Sequence, residues 1–213
     1  GMKAWFNGEI TELDVPLVQL VDHGFTVGDG VFETMRTTPS GDAFALTRHV
    51  ERLRRSAAGL GLVPPPADEV QVAVRAALAA NSGLDLTYGR VRVTYTSGPG
   101  PLGSERGPGP MTLAVVVMPG KAWPPTTTIA VPPWARNERS PLAGLKTTSY
   151  GENAVMLAWA KERGFSEAVM SNLAGDLCEG TGSNVFVVID DEIITPTLES
   201  GCLNGITRQL VLE

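Results

Sequence analysis

The stretch Glu179–Arg208, EGTGSNVFVVIDDEIITPTLESGCLNGITR, decides how this chain is read. It opens on an acid, Glu179, set among Gly180, Thr181, Gly182 and Ser183 and followed at once by the apolar run Val185–Ile189. A carboxylate carried by small residues into an apolar strand is easily buried, and burial demands a cationic partner. A protonated ring nitrogen is one such partner, although on local sequence alone a turn glutamate is the simpler reading. Val185–Ile189 and Glu192–Thr195 predict two short strands. Gly205-Ile206-Thr207-Arg208 then predicts a helix start running to the last residue. A helix start carries unpaired backbone N–H groups and the positive end of the helix dipole, and Thr207 adds a hydroxyl. Ile206 and Thr207 are therefore candidate contacts for a phosphate.

Upstream, Gly144-Leu145-Lys146-Thr147-Thr148-Ser149 holds Lys146 just before a second helix. Ser149 and Glu152 have the spacing of a capping box, which predicts a helix through Arg163. A lysine fixed ahead of a helix start and partly desolvated has a lowered pKa, and its amine becomes a usable nucleophile and base. Taken alone, a solvated loop lysine is again the plainer reading. Thr47–Leu60 has the apolar period of an amphipathic helix through Val50, Leu53, Ala57 and Leu60. Arg52 on that helix is a candidate for a charge-assisted bond to the same phosphate, against the simpler view that it shares a solvated face with Arg54 and Arg55.

The rest supplies the frame. Met2–Phe6 and Val31–Thr38 predict strands, and Val91, Val93 and Tyr95 alternate with polar neighbours as in a half-buried strand. Met111–Met118 predicts a more deeply buried strand, and Ala67–Asn81 a helix after the Pro64-Pro65-Pro66 break. Thr127–Val131 and Glu167–Ser171 predict further short strands. The pattern is α+β with two domains, an N-terminal domain over 1–118 and a C-terminal domain over 127–213, joined by a linker at 119–126.

Composition narrows the function. The 213 residues are 43% hydrophobic and 19% charged with a net charge of −6, and no basic run exists, which argues against a nucleic-acid partner. No apolar run is long enough to span a bilayer, so no membrane partner is expected. Cys178 and Cys202 are the only cysteines, too few for a disulfide framework, and the reading is cytoplasmic. His23 and His49 share no metal-ligand spacing with them, so no metal site is expected. Gly28-Asp29-Gly30 lacks the rest of a dinucleotide fingerprint.

Taken together, these segments resemble the class IV aminotransferases, the fold-type IV enzymes of pyridoxal 5′-phosphate (PLP). That family includes branched-chain aminotransferases, D-amino acid aminotransferases and aminodeoxychorismate lyases. The ordered run Glu179, Thr181, Asn184, Val185, Phe186, Ile193, Thr195, Leu203, Gly205, Ile206 and Arg208 matches the family signature in type and gap. Gly28–Glu33, His49–Leu53 and Leu145-Lys146 match it as well. The resemblance implies a two-domain fold-type IV enzyme with Lys146 as the Schiff-base lysine and Glu179 as the partner of the cofactor's ring nitrogen. It also implies Arg52, Ile206 and Thr207 as phosphate contacts, a homodimer, and a small amino-acid-like substrate. Family members continue beyond the position of Glu213, where this chain stops inside a helix without a Gly or Pro stop signal. The expectation is a fold whose C-terminal part is truncated.

Thr34, in Phe32-Glu33-Thr34-Met35-Arg36, bears on the reaction. Members resembling aminodeoxychorismate lyase carry threonine here and are thought to use it in proton handling. Branched-chain aminotransferases usually carry glycine, and the plain alternative is a strand residue of high β-propensity. The expectation is therefore 4-amino-4-deoxychorismate lyase, releasing pyruvate and 4-aminobenzoate, with a branched-chain or D-amino acid aminotransferase as the alternative. Arg106, in the Gly/Pro-rich loop from Gly98 to Pro110, is a candidate fork for a substrate carboxylate.

Overall fold

A computed structural model describes residues 1–213. The chain forms two compact units, one of Gly1–Trp123 with Lys146–Ser149, the other of Pro124–Leu145 with Tyr150–Glu213.

The first unit contains β1 (Lys3–Phe6), β2 (Glu9–Glu12), α1 (His23–Thr26), β3 (Gly30–Arg36), α2 (Leu46–Gly59), α3 (Ala67–Ala80), β4 (Arg90–Thr96) and β5 (Thr112–Met118). Its strands make one antiparallel sheet in the order β2-β1-β5-β4-β3. Alternation sorts the side chains, because successive residues of a strand point to opposite faces. Val31 and Met35 of β3, Val91, Val93 and Tyr95 of β4, and Leu113, Val115 and Val117 of β5 form one core with Val50, Leu53 and Ala57 of α2 and Val70, Val74 and Ala77 of α3. Phe32 and Thr34, and Arg92 and Thr94, take the opposite face, and β3 and β4 pair Thr34 with Arg92. The predicted strands and helices of this unit form within one or two residues of their expected ends. The hairpin strand β2 and the one-turn α1, capped by Asp22 to the Gly24 amide at 2.8 Å, are additions that sequence periodicity is too short to reveal.

The second unit contains β6 (Ile129–Ala130), α4 (Gly151–Glu162), β7 (Glu167–Ser171), β8 (Leu177–Gly180), β9 (Val187–Ile189), β10 (Glu192–Ile194) and α5 (Ile206–Leu212). β6, β7 and β8 form a three-stranded sheet and β9 pairs with β10. Met156 and Ala160 of α4 pack on Ala168 and Met170 of β7. Two expectations change here. Glu179 lies on a strand, β8, paired opposite Met170, rather than in a loop. The capping box at Ser149 does not form: α4 begins after Tyr150 with no side-chain cap, because the Ser149 hydroxyl donates to the Gly28 carbonyl at 2.8 Å. No helix is long and apolar enough to cross a membrane.

Candidate active site

Lys146 is held by the edge of the first unit's sheet. The Phe32 amide donates to the Lys146 carbonyl at 3.0 Å, the Thr148 amide donates to Gly30 at 2.9 Å, and Thr147 bridges Val31. Residues 146–148 thus lie beside β3, tied to it by two backbone hydrogen bonds and a single bridge. The Lys146 amide donates to Ser56 Oγ on α2 at 3.2 Å, so its backbone is fixed from two sides. Gly28 makes this approach possible: its φ is +68°, and a Cβ there would meet Ser149 Oγ at 2.6 Å. The Gly-Asp-Gly motif is therefore a docking point for the lysine segment, not a phosphate loop.

The lysine amine lies 4.5 Å from the centroid of the Phe32 ring, and the Arg92 guanidinium lies 3.5 Å from the same centroid. Phe32, Thr34 and Arg92 share the sheet face opposite the core, which is the side on which Lys146 presents its amine. Sequence reasoning singled out Thr34 and missed Arg92, whose only local signal was a charge alternating with Val91 and Val93.

Arg52 is 6% exposed, so the view that it shares a solvated face with the exposed Arg54 and Arg55 is overturned. Its Nε and Nη2 donate to the two oxygens of Glu33, each at 2.6 Å, and His49 Nδ1 lies 2.7 Å from Glu33 Oε2. Burial alone would raise the Glu33 carboxyl, yet the Arg52 and His49 hydrogen bonds bring it below its ordinary value. Glu33 ends the Gly28–Glu33 motif, and nothing in its neighbours along the chain announces the pair.

Arg106 has a different occupation from the one expected. Its Nε and Nη2 donate to both oxygens of Asp29 at 2.8 Å, and Nη2 also donates to the Leu60 carbonyl at 2.7 Å. The planar fork reserved for a substrate carboxylate is filled by Asp29, and Arg106 anchors its own loop instead.

In the second unit, the Glu179 side chain is 13% exposed. The Leu203 amide donates to Oε2 at 2.9 Å, and Arg136 Nε stands 3.6 Å from Oε1. Arg136 is itself placed by Asn153 Oδ1 at 3.0 Å and Glu152 at 3.3 Å, and it is a second residue that the sequence did not flag. The Cys178 thiol beside Glu179 is pushed up to about 11, first by burial and then by the carboxylate's charge, so it is protonated at neutral pH. Asn184 Nδ2 donates to the Leu203 carbonyl at 2.8 Å, and a Cβ on Gly205 would lie 1.9 Å from Asn184 Oδ1. No side chain could stand at position 205 without displacing Asn184. Gly205 caps α5 in an extended conformation, and the first-turn amides of Ile206 and Thr207 have no carbonyl inside the helix to pair with. Arg208 donates to Asn204 at 3.2 Å and Pro196 at 3.2 Å, a tether rather than a ligand contact.

Taken unit by unit, the donors suit PLP by chemistry: the first unit offers a primary amine for the carbonyl and a guanidinium for a phosphate, and the second a shielded carboxylate for a protonated pyridine and N–H and hydroxyl donors for a phosphate.

Comparison with known proteins agrees. The model of the family "Amino-transferase class IV" matches residues 30–213. The branched-chain-amino-acid aminotransferase of Pseudomonas aeruginosa is 31% identical over 98% of this chain and 70% of its own length. The crystal structure of a branched-chain aminotransferase from Thermoproteus uzoniensis with norvaline superposes with a TM-score of 0.90 at 31% identity, over 99% of this chain and 73% of that one. A Legionella pneumophila protein provisionally assigned as 4-amino-4-deoxychorismate lyase superposes with a TM-score of 0.83 at 25% identity, over 94% and 73%. The chain belongs to the class IV aminotransferases. It is a PLP-dependent enzyme with the α+β fold of fold type IV, and it spans about 70–75% of the length of these relatives.

Proposed function

We propose that this chain is a 4-amino-4-deoxychorismate lyase, which splits its substrate into pyruvate and 4-aminobenzoate with no added reactant. The observation that carries the reading is Thr34 paired across the strands with Arg92 on the face to which Lys146 presents its amine. The substrate bears two carboxylates, and a guanidinium beside the reacting amine favours it over an aliphatic amino acid.

In this reading Lys146 carries the cofactor and moves the α-proton at its Nζ. When bound, PLP supplies an electron sink for the carbanion. Glu179, its carboxylate held in place by the Leu203 amide and Arg136, would pair with the protonated ring nitrogen. Arg52, the amides of Ile206 and Thr207, and the Thr207 hydroxyl would hold the phosphate. Thr34 supplies the hydroxyl that assists proton transfer as the enolpyruvyl group leaves. A homodimer belongs to the same proposal, supported by an apolar cavity of about 410 Å³ lined by Leu17, Val18, Leu20 and Phe25, with Leu20 80% and Phe25 71% exposed. A cytoplasmic location belongs to the same proposal, and the presence of only two cysteines, both free, is in keeping with it.

A second reading, a branched-chain or D-amino acid aminotransferase, is favoured by what the Pseudomonas aeruginosa and Thermoproteus uzoniensis relatives are named for. Incubation of the PLP-loaded protein with 4-amino-4-deoxychorismate decides between them. Release of 4-aminobenzoate supports the lyase. Amino-group transfer from leucine or D-alanine to 2-oxoglutarate, with no 4-aminobenzoate, supports the second reading.

A further inference from the structure

We propose that Glu33 is a positioning residue for the cofactor phosphate, acting through Arg52. The inference rests on the reading above that Arg52 binds that phosphate.

Glu33 is 1% exposed on the helix-facing side of β3, where its neighbours along the face are Val31 and Met35. An ion pair in such a place is a poor way to gain stability, since desolvation of the two charges offsets most of their attraction. What the pair does supply is direction. The two Glu33 oxygens take Arg52 Nε and Nη2 at equal distances, 2.6 Å each, which fixes the plane of the guanidinium as well as its place. Lysine could not be held in this way, because an ammonium offers no plane. His49 stands one turn before Arg52 on α2, and its Nδ1 at 2.7 Å engages the remaining capacity of Glu33 Oε2. Glu33 is therefore held by two residues of one helix face, and in return it fixes the heading of the Arg52 Nη1 edge relative to β3. The same strand carries Phe32, over whose ring the Lys146 amine lies. One rigid strand thus registers two groups: the lysine amine through residue 32 and the arginine through residue 33. A cofactor held at both ends needs that spacing constant.

The test compares PLP with pyridoxal, which has the same ring and aldehyde but no phosphate, each titrated into apoprotein by tryptophan fluorescence. Glu33→Gln should weaken PLP binding by about tenfold, the scale of a bidentate charge-assisted contact, and leave pyridoxal within about twofold. Arg52→Lys should weaken PLP by a similar factor, and Glu33→Gln added to it should weaken PLP no further. Equal loss for PLP and pyridoxal in Glu33→Gln, or no loss for either, overturns the proposal. If Glu33→Gln does not fold, His49→Leu carries the test: PLP should weaken by about threefold and pyridoxal not at all, and equal changes overturn it. Arg52→Lys with unaltered PLP affinity would instead remove the phosphate role of Arg52 itself, and this inference with it. An effect of Arg52→Lys without one of Glu33→Gln removes only the positioning role.

Discussion

Lys146 and Phe32 are joined twice: the Phe32 amide donates to the Lys146 carbonyl at 3.0 Å, and the Lys146 amine lies 4.5 Å from the Phe32 ring centroid. The backbone bond sets where the lysine starts, and the ring gives its cationic form a face to lie on. Phe32→Leu keeps an apolar residue and the backbone bond but removes that face. The expected result is a fall in kcat of about tenfold with KM nearly unchanged, together with a stability loss of about 1–2 kcal/mol. Steady-state kinetics and thermal unfolding measure the two effects separately.

Thr34 and Arg92 are expected to control which substrate and which outcome the site favours. Thr34→Gly should reduce 4-aminobenzoate release by about a hundredfold, the scale of a positioned proton-transfer group. Arg92→Leu should raise KM for the dicarboxylate substrate and lower it for leucine. Unchanged ratios of kcat/KM between the two substrates in Arg92→Leu would show that the guanidinium does not choose the substrate.

The Glu33 carboxyl sits below its ordinary value of 4.5 in the folded protein. A group depressed on folding contributes stability that is complete above its unfolded pKa and is lost as pH falls through its folded pKa. Unfolding free energy should therefore hold above about pH 5 and fall as the medium is acidified below the ordinary value. Urea titrations across that range measure the slope, which should be shallower in Glu33→Gln.

Arg106 holds the Asp29 carboxyl below its usual range, chiefly through their paired hydrogen bonds. The arginine side chain is 39% exposed, so solvent screens much of the pair. Arg106→Ala should cost about 1 kcal/mol or less and speed amide exchange across Gly98–Pro110. A rise in substrate KM without faster exchange would restore the carboxylate-fork role that Asp29 now fills.

Much of this arrangement was legible along the chain. The period of Val50, Leu53 and Ala57 marks α2, and the alternation of Val91, Val93 and Tyr95 marks β4, because both patterns run long enough to separate helix from strand. β8 was not legible: four residues ending in glycine, with Cys178 and Glu179 between, carry no period. Lys146 and Glu179 were found as members of an ordered signature, not from their local chemistry. Arg136 and Glu33 were missed for a different reason. Each acquires meaning from a partner far along the chain, Arg136 from Glu179 and Glu33 from Arg52, and a distant pairing leaves no mark on neighbouring residue types. The Ser149 cap failed similarly, since the hydroxyl's partner is Gly28.

The central claim is that Lys146 is the residue that carries PLP, and its most direct test is chemical. The protein is incubated with PLP, treated with sodium borohydride to fix the cofactor to the amine that holds it, digested, and mapped by mass spectrometry. The chain has only three other lysines, Lys3, Lys121 and Lys161, so the map is unambiguous. The account predicts the phosphopyridoxyl group on Lys146, with Lys146→Ala losing both the label and the visible absorbance. Stoichiometric labelling at any of the other three lysines, or none at Lys146, would contradict it.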